Sequence, residues 1–165
     1  MGKFLVLYYT RYQTTLETAE KIKNKLGQNC KIAPISEGSR IIDGYSNIII
    51  GTPVIMGAIP KPVQNFCRQE HDKLMSKNVS LYIHGLIWEN KYKDEINNFI
   101  DKELISHFRR IEYFGGKLDY NKMFFLKALF FKKMAASLGI DPVKPNNLKN
   151  DKIEKFIGEL EKGLQ

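Results

Sequence analysis

A chain of 165 residues with 43% hydrophobic and 12% aromatic content is long enough for one domain with a substantial buried core. Its formal net charge is +8, which calls for acidic or anionic partners, yet no arginine-rich helix, helix-turn-helix spacing or RNA-binding aromatic signature accompanies it, so nucleic acid is not expected. No apolar stretch is long enough to span a bilayer. "MGKFLVLYYT" has one lysine and no small-residue cleavage site, and Val6 stands where myristoylation requires Ser or Thr, so a soluble or peripheral cytoplasmic protein is expected. Cys30 and Cys67 form no CxxC pair, which leaves buried thiols in a reducing compartment as the expectation and removes zinc-knuckle and thioredoxin-like chemistry.

Apolar runs alternate with helical patterns along the chain. "KFLVLYY" reads as a strand, and "TTLETAEKIKNKLG" as a helix closed by Gly27. "CKIAPI" and "SNIIIG" are the next strands, joined by the short, weakly patterned "SEGSRIIDGY". "PKPVQNFCRQEHDKL" is a helix opened by prolines, "VSLYIHG" a fourth strand, "KYKDEINNFIDKEL" a helix and "RIEYFGG" a fifth strand. A last helix covers "DKIEKFIGELEKGL". Strand and helix alternating in this way predict a parallel sheet covered on both faces, with no linker or repeat dividing residues 1–165. Ligands of such sheets sit at the carboxyl ends of the strands, which directs attention to the turns after Tyr9, Ile50, Ile83 and Phe114.

The first turn, "TRYQTT", is neither a GxGxxG fingerprint nor a Walker loop. It sets the hydroxyls of Thr10, Thr14 and Thr15 beside the free amides of a helix N-terminus, so it serves either as a helix cap or as an anion cradle. A response regulator would need acidic residues ending the first and third strands, and a low-molecular-weight phosphatase a cysteine and an arginine in the first loop at their own spacing; the chain meets neither requirement. The second turn, "GTPVIMGAIPKP", carries Val54, Ile55 and Met56 where a solvated loop would be polar, which suits a wall for a flat apolar ring or a segment packed on the domain. The third, "HGLIWEN", carries Trp88, suited to the core or to ring stacking. His84, His107 and Glu89 are the candidates for acid–base work, with an ordinary hydrogen-bonded histidine the more economical reading of His84.

Taken together, "YYTRYQTTLETAEKI", "IIIGTPVIMGAIPKPVQNF" and "FGGKLDYNKMFFLKALFFKKM" resemble the flavodoxin-like FMN-binding proteins, in particular the group that includes the menaquinone-dependent protoporphyrinogen IX dehydrogenases. The resemblance implies a doubly wound five-stranded parallel sheet in the order 2-1-3-4-5, with a helical insertion at 117–140 before the last helix. It also implies that Thr10, Arg11, Tyr12, Gln13, Thr14 and Thr15 wrap the FMN phosphate. Thr52, Pro53, Val54, Ile55, Met56 and Gly57 would form one wall of the ring pocket, Gly85, Leu86, Ile87 and Trp88 another, with Gly116 and Lys117 completing it. No metal is implied. One departure is Gln13, where the family often has glycine; a positive φ there would strain the loop.

The activity so implied passes electrons from a reduced tetrapyrrole through FMN to a quinone or other acceptor; alternatives are a general electron carrier or quinone reductase, and a flavin-free binding module. Electron-shuttling flavodoxins are acidic around the flavin, so the net charge favours an enzyme whose substrate carries carboxylates, met by Lys61, Lys91 and Lys117. From Lys117 to Lys155 nine lysines stand against Asp119, Asp141, Asp151 and Glu154. The Lys- and Phe-rich stretch 121–134 is not a clean amphipathic helix; it suits peripheral contact with a membrane surface, or packing on the sheet edge or on a second copy in a homo-oligomer.

Overall fold

The computed structural model describes residues 3–86, 89–122, 124–137 and 139–162. Five strands, β1 (Phe4–Tyr8), β2 (Cys30–Pro34), β3 (Asn47–Pro53), β4 (Asn78–His84) and β5 (Arg110–Tyr113), form one sheet in the order 2-1-3-4-5. All four pairings are parallel. The parallel sheet agrees with the alternating pattern, and its order is that of the doubly wound, flavodoxin-like architecture the resemblance implied.

The helices are α1 (Thr14–Leu26), α2 (Gly38–Ile41), α3 (Lys61–Gln69), α4 (His71–Met75), α5 (Tyr92–Glu95), α6 (Lys102–His107), α7 (Phe125–Ser137) and α8 (Asn150–Lys162), with short 3-10 turns between several of them. The single helix expected over 60–74 is two, because Glu70 leaves helical geometry (φ −103°, ψ 19°) for one residue. The helix expected over 91–104 also divides. Ile96 and Ile100 bury their side chains at the break, and Asp101 starts a new helix by accepting hydrogen bonds from Glu103 N (2.9 Å) and Leu104 N (3.3 Å). Helix α7 lies within the Lys- and Phe-rich segment.

Period-2 alternation along the strands divides the core in two. Leu5, Leu7, Ile48, Ile50, Val79, Leu81 and Ile83 pack with Val63, Phe66, Cys67, Leu74 and Leu104 on one face. Phe4, Val6, Ile49 and Tyr82 pack on the other against Ala19, Ile22 and Leu26 of α1 and Ile153, Phe156 and Ile157 of α8. Each such fully buried aliphatic side chain contributes about 1.5–3 kcal/mol. Both cysteines are buried free thiols, and burial pushes Cys30 up to about 11 and Cys67 up to about 12, which removes the thiolate chemistry of either.

The core also positions the carboxyl edge of the sheet. Tyr82 lies across Gly51 of the neighbouring strand, and its phenol donates to the Thr15 carbonyl at 2.8 Å, tying β4 to the first turn of α1. A Cβ on Gly51 would stand 2.2 Å from the Tyr82 phenol oxygen, so this crossing requires glycine.

Candidate functional site

The turns after β1, β3, β4 and β5 converge on one cavity of about 260 Å³ at the carboxyl edge of the sheet. Thr10, Arg11, Tyr12, Thr14, Thr15, Pro53, Val54, Ile55, Met56, Gly57, Gly85, Leu86, Gly116 and Lys117 line it, joined by His84, Leu118, Phe131 and Met134. Two of the expected residues do not line it. Thr52 is fully buried behind the wall, where its hydroxyl donates to the Pro53 carbonyl at 3.0 Å. Gln13 shapes the loop with its backbone instead of facing the cavity. Ile87 and Trp88 lie outside the described residues.

The first loop ends on Gln13, which precedes α1 in left-handed geometry (φ 69°, ψ −22°), the conformation that favours glycine. Its carbonyl accepts from Glu17 N at 2.9 Å, but its side chain does not cap the helix. The amides of the first turn of α1 therefore point into the loop without a side-chain acceptor, at the positive end of a 13-residue helix. Thr14 and Thr15 are buried. The Thr10 hydroxyl is also buried, with no hydrogen-bond partner among the described residues. A buried hydroxyl left unpaired costs about 1–3 kcal/mol, so the arrangement has a polar group waiting for an acceptor or donor.

The second loop makes a tight reversal. Ile55 and Ala58 exchange backbone hydrogen bonds of 2.9 and 3.1 Å across Met56 (φ 52°) and Gly57 (φ 76°), a turn with both central residues left-handed. Gly57 adopts this freely, whereas Met56 adopts it at a cost and holds its side chain 72% exposed at the rim.

The third and fourth loops are bound to each other by a residue absent from the sequence reading. The Asn147 side-chain amide donates to Leu86 O at 2.5 Å and accepts from Gly116 N at 2.7 Å, while its backbone N–H donates to Gly116 O at 2.9 Å. Gly85 N donates to Gly115 O at 3.1 Å, and the Tyr113 phenol donates to Gly85 O. A Cβ on Gly115 would meet Asn147 O at 2.1 Å, and one on Gly116 would meet the Gly85 backbone at 3.0 Å, so the two loops touch only because these positions lack side chains.

His84 forms the floor. Its Nδ1 lies 2.7 Å from Gly115 O and its Nε2 2.9 Å from Thr18 Oγ1. A carbonyl only accepts, so Nδ1 carries the proton and Nε2 accepts from the threonine. Burial pushes the imidazole down to about 4, and the Gly115 carbonyl opposes that only in part. With both nitrogens engaged, His84 is a neutral strut between α1 and the fourth loop. The other two acid–base candidates are placed elsewhere: His107 Nε2 is bonded to Lys77 O at 2.8 Å, and Glu89 is paired with Lys149 at 2.7 Å.

Phe131 and Met134 of α7 close the cavity's outer side, with Phe131 edge-on to Tyr12 at 6.3 Å. Of the three lysines expected near a carboxylate-bearing ligand, Lys117 alone lines the cavity; it pairs with Glu17 at 2.5 Å. The result is an apolar slot with a patch of anion-directed donors at one end.

Residues 5–142 match the Flavodoxin domain family. No curated protein matches the chain. Among solved structures, the flavo di-iron protein of Thermotoga maritima (H90N mutant) is similar at TM-score 0.60 and 17% identity over 99% of this chain and 36% of that one. The flavodoxin, WrbA-like protein of Agrobacterium tumefaciens gives 0.52 and 16% over 67% and 76%, and the Trp repressor binding protein of Bacillus subtilis 0.51 and 16% over 69% and 85%. The structural likenesses agree on the fold; the family match runs from β1 past α7, on a sheet of order 2-1-3-4-5, and the chain therefore belongs to the flavodoxin-domain family.

Proposed function

We propose that the cavity holds FMN and that the protein is an FMN-dependent oxidoreductase, oxidising a reduced tetrapyrrole of the protoporphyrinogen type and delivering the electrons to a quinone or another acceptor. The observation that carries the cofactor is the unpaired, buried Thr10 hydroxyl beside the open amides of α1, at one end of an apolar slot. A phosphate at that end would satisfy both sets of donors, and Val54, Ile55, Leu86 and Tyr12 would hold the flat ring. Bound there, FMN supplies the two-electron chemistry. The chain's own residues orient it and exclude water: Asn147 and Gly115 hold the ring loops together, and Phe131 and Met134 cover the outer side.

Proton handling follows from the same geometry. His84 is neutral with both nitrogens occupied, so it does not act as a base, and protons released in the oxidation go to solvent. The net charge of +8 favours a carboxylate-bearing substrate, since an electron shuttle of this charge would need acidic protein partners.

The test is the visible spectrum of the purified protein during titration with FMN, followed by anaerobic assay with protoporphyrinogen and menadione. A bound, reducible flavin with porphyrin formation supports the full reading. Flavin binding with electron transfer only between proteins identifies a carrier, and no binding at high micromolar FMN removes both redox readings.

A further inference from the structure

Helix α7 has one face on the cavity and another on nothing described. Ala135 is buried, and Phe131 and Met134 face the slot. Opposite them, Phe125, Leu126, Leu129 and Phe130 are 73%, 64%, 47% and 52% exposed, with Phe124 at 73% just before the helix. At 100° per residue these four helical positions fall within an arc of about 140° centred away from the slot. Large apolar side chains so concentrated on a surface mark an interaction site.

The charge around them identifies the occupant. No acidic residue occurs between Asp119 and Asp141, whereas three exposed lysines project from the helix: at 100° per residue Lys133 falls within the apolar arc, Lys132 beside it, and Lys127 on the slot side. We propose that the outward face of α7 docks on the surface of a bilayer containing anionic lipid, its phenylalanines and leucines entering the headgroup region and its lysines meeting lipid phosphates. At 13 residues, α7 is about 20 Å long, too short to cross a hydrocarbon core of about 30 Å, and no helix among the described residues is long and apolar enough to do so. The helix therefore lies in the interface plane, where lysine stems extend past apolar neighbours to the headgroups. A second copy is the poorer occupant, because a two-fold contact through this face would set Lys132 and Lys133 against their own symmetry mates. A protein partner is poorer too, since lysine is depleted from the cores of protein interfaces. Because α7 also walls the slot, docking places the slot behind the helix, about 10 Å from the bilayer surface.

Flotation of the purified, full chain with vesicles tests this without flavin or turnover, so its failure is distinct from failure of the redox reading. The protein is expected to float with phosphatidylcholine vesicles containing about 30% phosphatidylglycerol and to be released as salt shortens the screening length. Phe125→Ser with Phe130→Ser, and Lys127→Glu with Lys132→Glu and Lys133→Glu, should each lower partitioning, the latter by on the order of a hundredfold or more. Melting curves check that both variants remain folded. No flotation of the wild-type chain overturns the proposal outright and needs no variant. Equal binding to pure phosphatidylcholine, wild-type binding by both folded variants, or a dimer in solution that the phenylalanine substitutions abolish would overturn it as well.

Discussion

His84 makes the protein's stability depend on pH in a way that can be isolated. Its imidazole stays neutral in the folded chain down to about 4, whereas in the unfolded chain it takes a proton near the ordinary histidine value of about 6.5. Between those values the unfolded state binds the extra proton, so stability falls as pH falls and stops falling on this account below about 4. The full gap is worth about 3 kcal/mol, of which about 2 kcal/mol is lost between pH 7 and pH 5. The perturbation is His84→Gln, which keeps a donor and an acceptor but does not titrate. Urea denaturation of both proteins at pH 7 and pH 5 cancels the exposed titrating groups they share. The wild-type advantage should shrink by about 2 kcal/mol at the lower pH. Stability differences that stay parallel across that range would refute the assignment of His84 as a buried neutral strut.

Three further outcomes follow from the loops. Gln13→Gly relieves a left-handed residue (φ 69°) and should raise stability by about 1 kcal/mol in urea titration without weakening FMN binding. Thr10→Val removes the unpaired hydroxyl, so the flavin-free protein should gain about 1 kcal/mol while FMN affinity, read by flavin fluorescence quenching, falls about tenfold. Asn147→Ala frees Leu86 O and Gly116 N together and should cost about 2 kcal/mol or more, with faster amide exchange at Gly85 and Gly116 as the local signature.

Much of this protein was legible along the chain. The near-continuous apolar runs in β1, β3 and β4 are what strands buried on both faces require, and the alternation with helices implied a parallel sheet whose ligand lies at the strand ends. The hydroxyl-rich first turn, set at a helix N-terminus, pointed to a cap or an anion cradle, and the apolar second turn was wrong for an ordinary solvated loop. Gln13 was recognisable as a point of strain through the resemblance, because similar chains often carry glycine there and a residue with a side chain resists positive φ. Helix lengths were less legible where a single residue, Glu70 or Asp101, interrupts an otherwise continuous pattern.

Tertiary structure alone decided the rest. Asn147 stands in "KPNNLKN" with no motif to distinguish it, and it matters only because the chain returns to place its amide between Leu86 and Gly116. His84 could be a base or a strut until Thr18 and the Gly115 carbonyl, 66 and 31 residues away, occupy both its nitrogens. Phe131 and Met134 are indistinguishable in sequence from Phe125 and Phe130, yet one pair faces the slot and the other faces outward. Periodicity and turn chemistry act over a few residues and can be read in order, whereas the direction a side chain faces and the groups that saturate it are set by contacts between segments far apart in the chain.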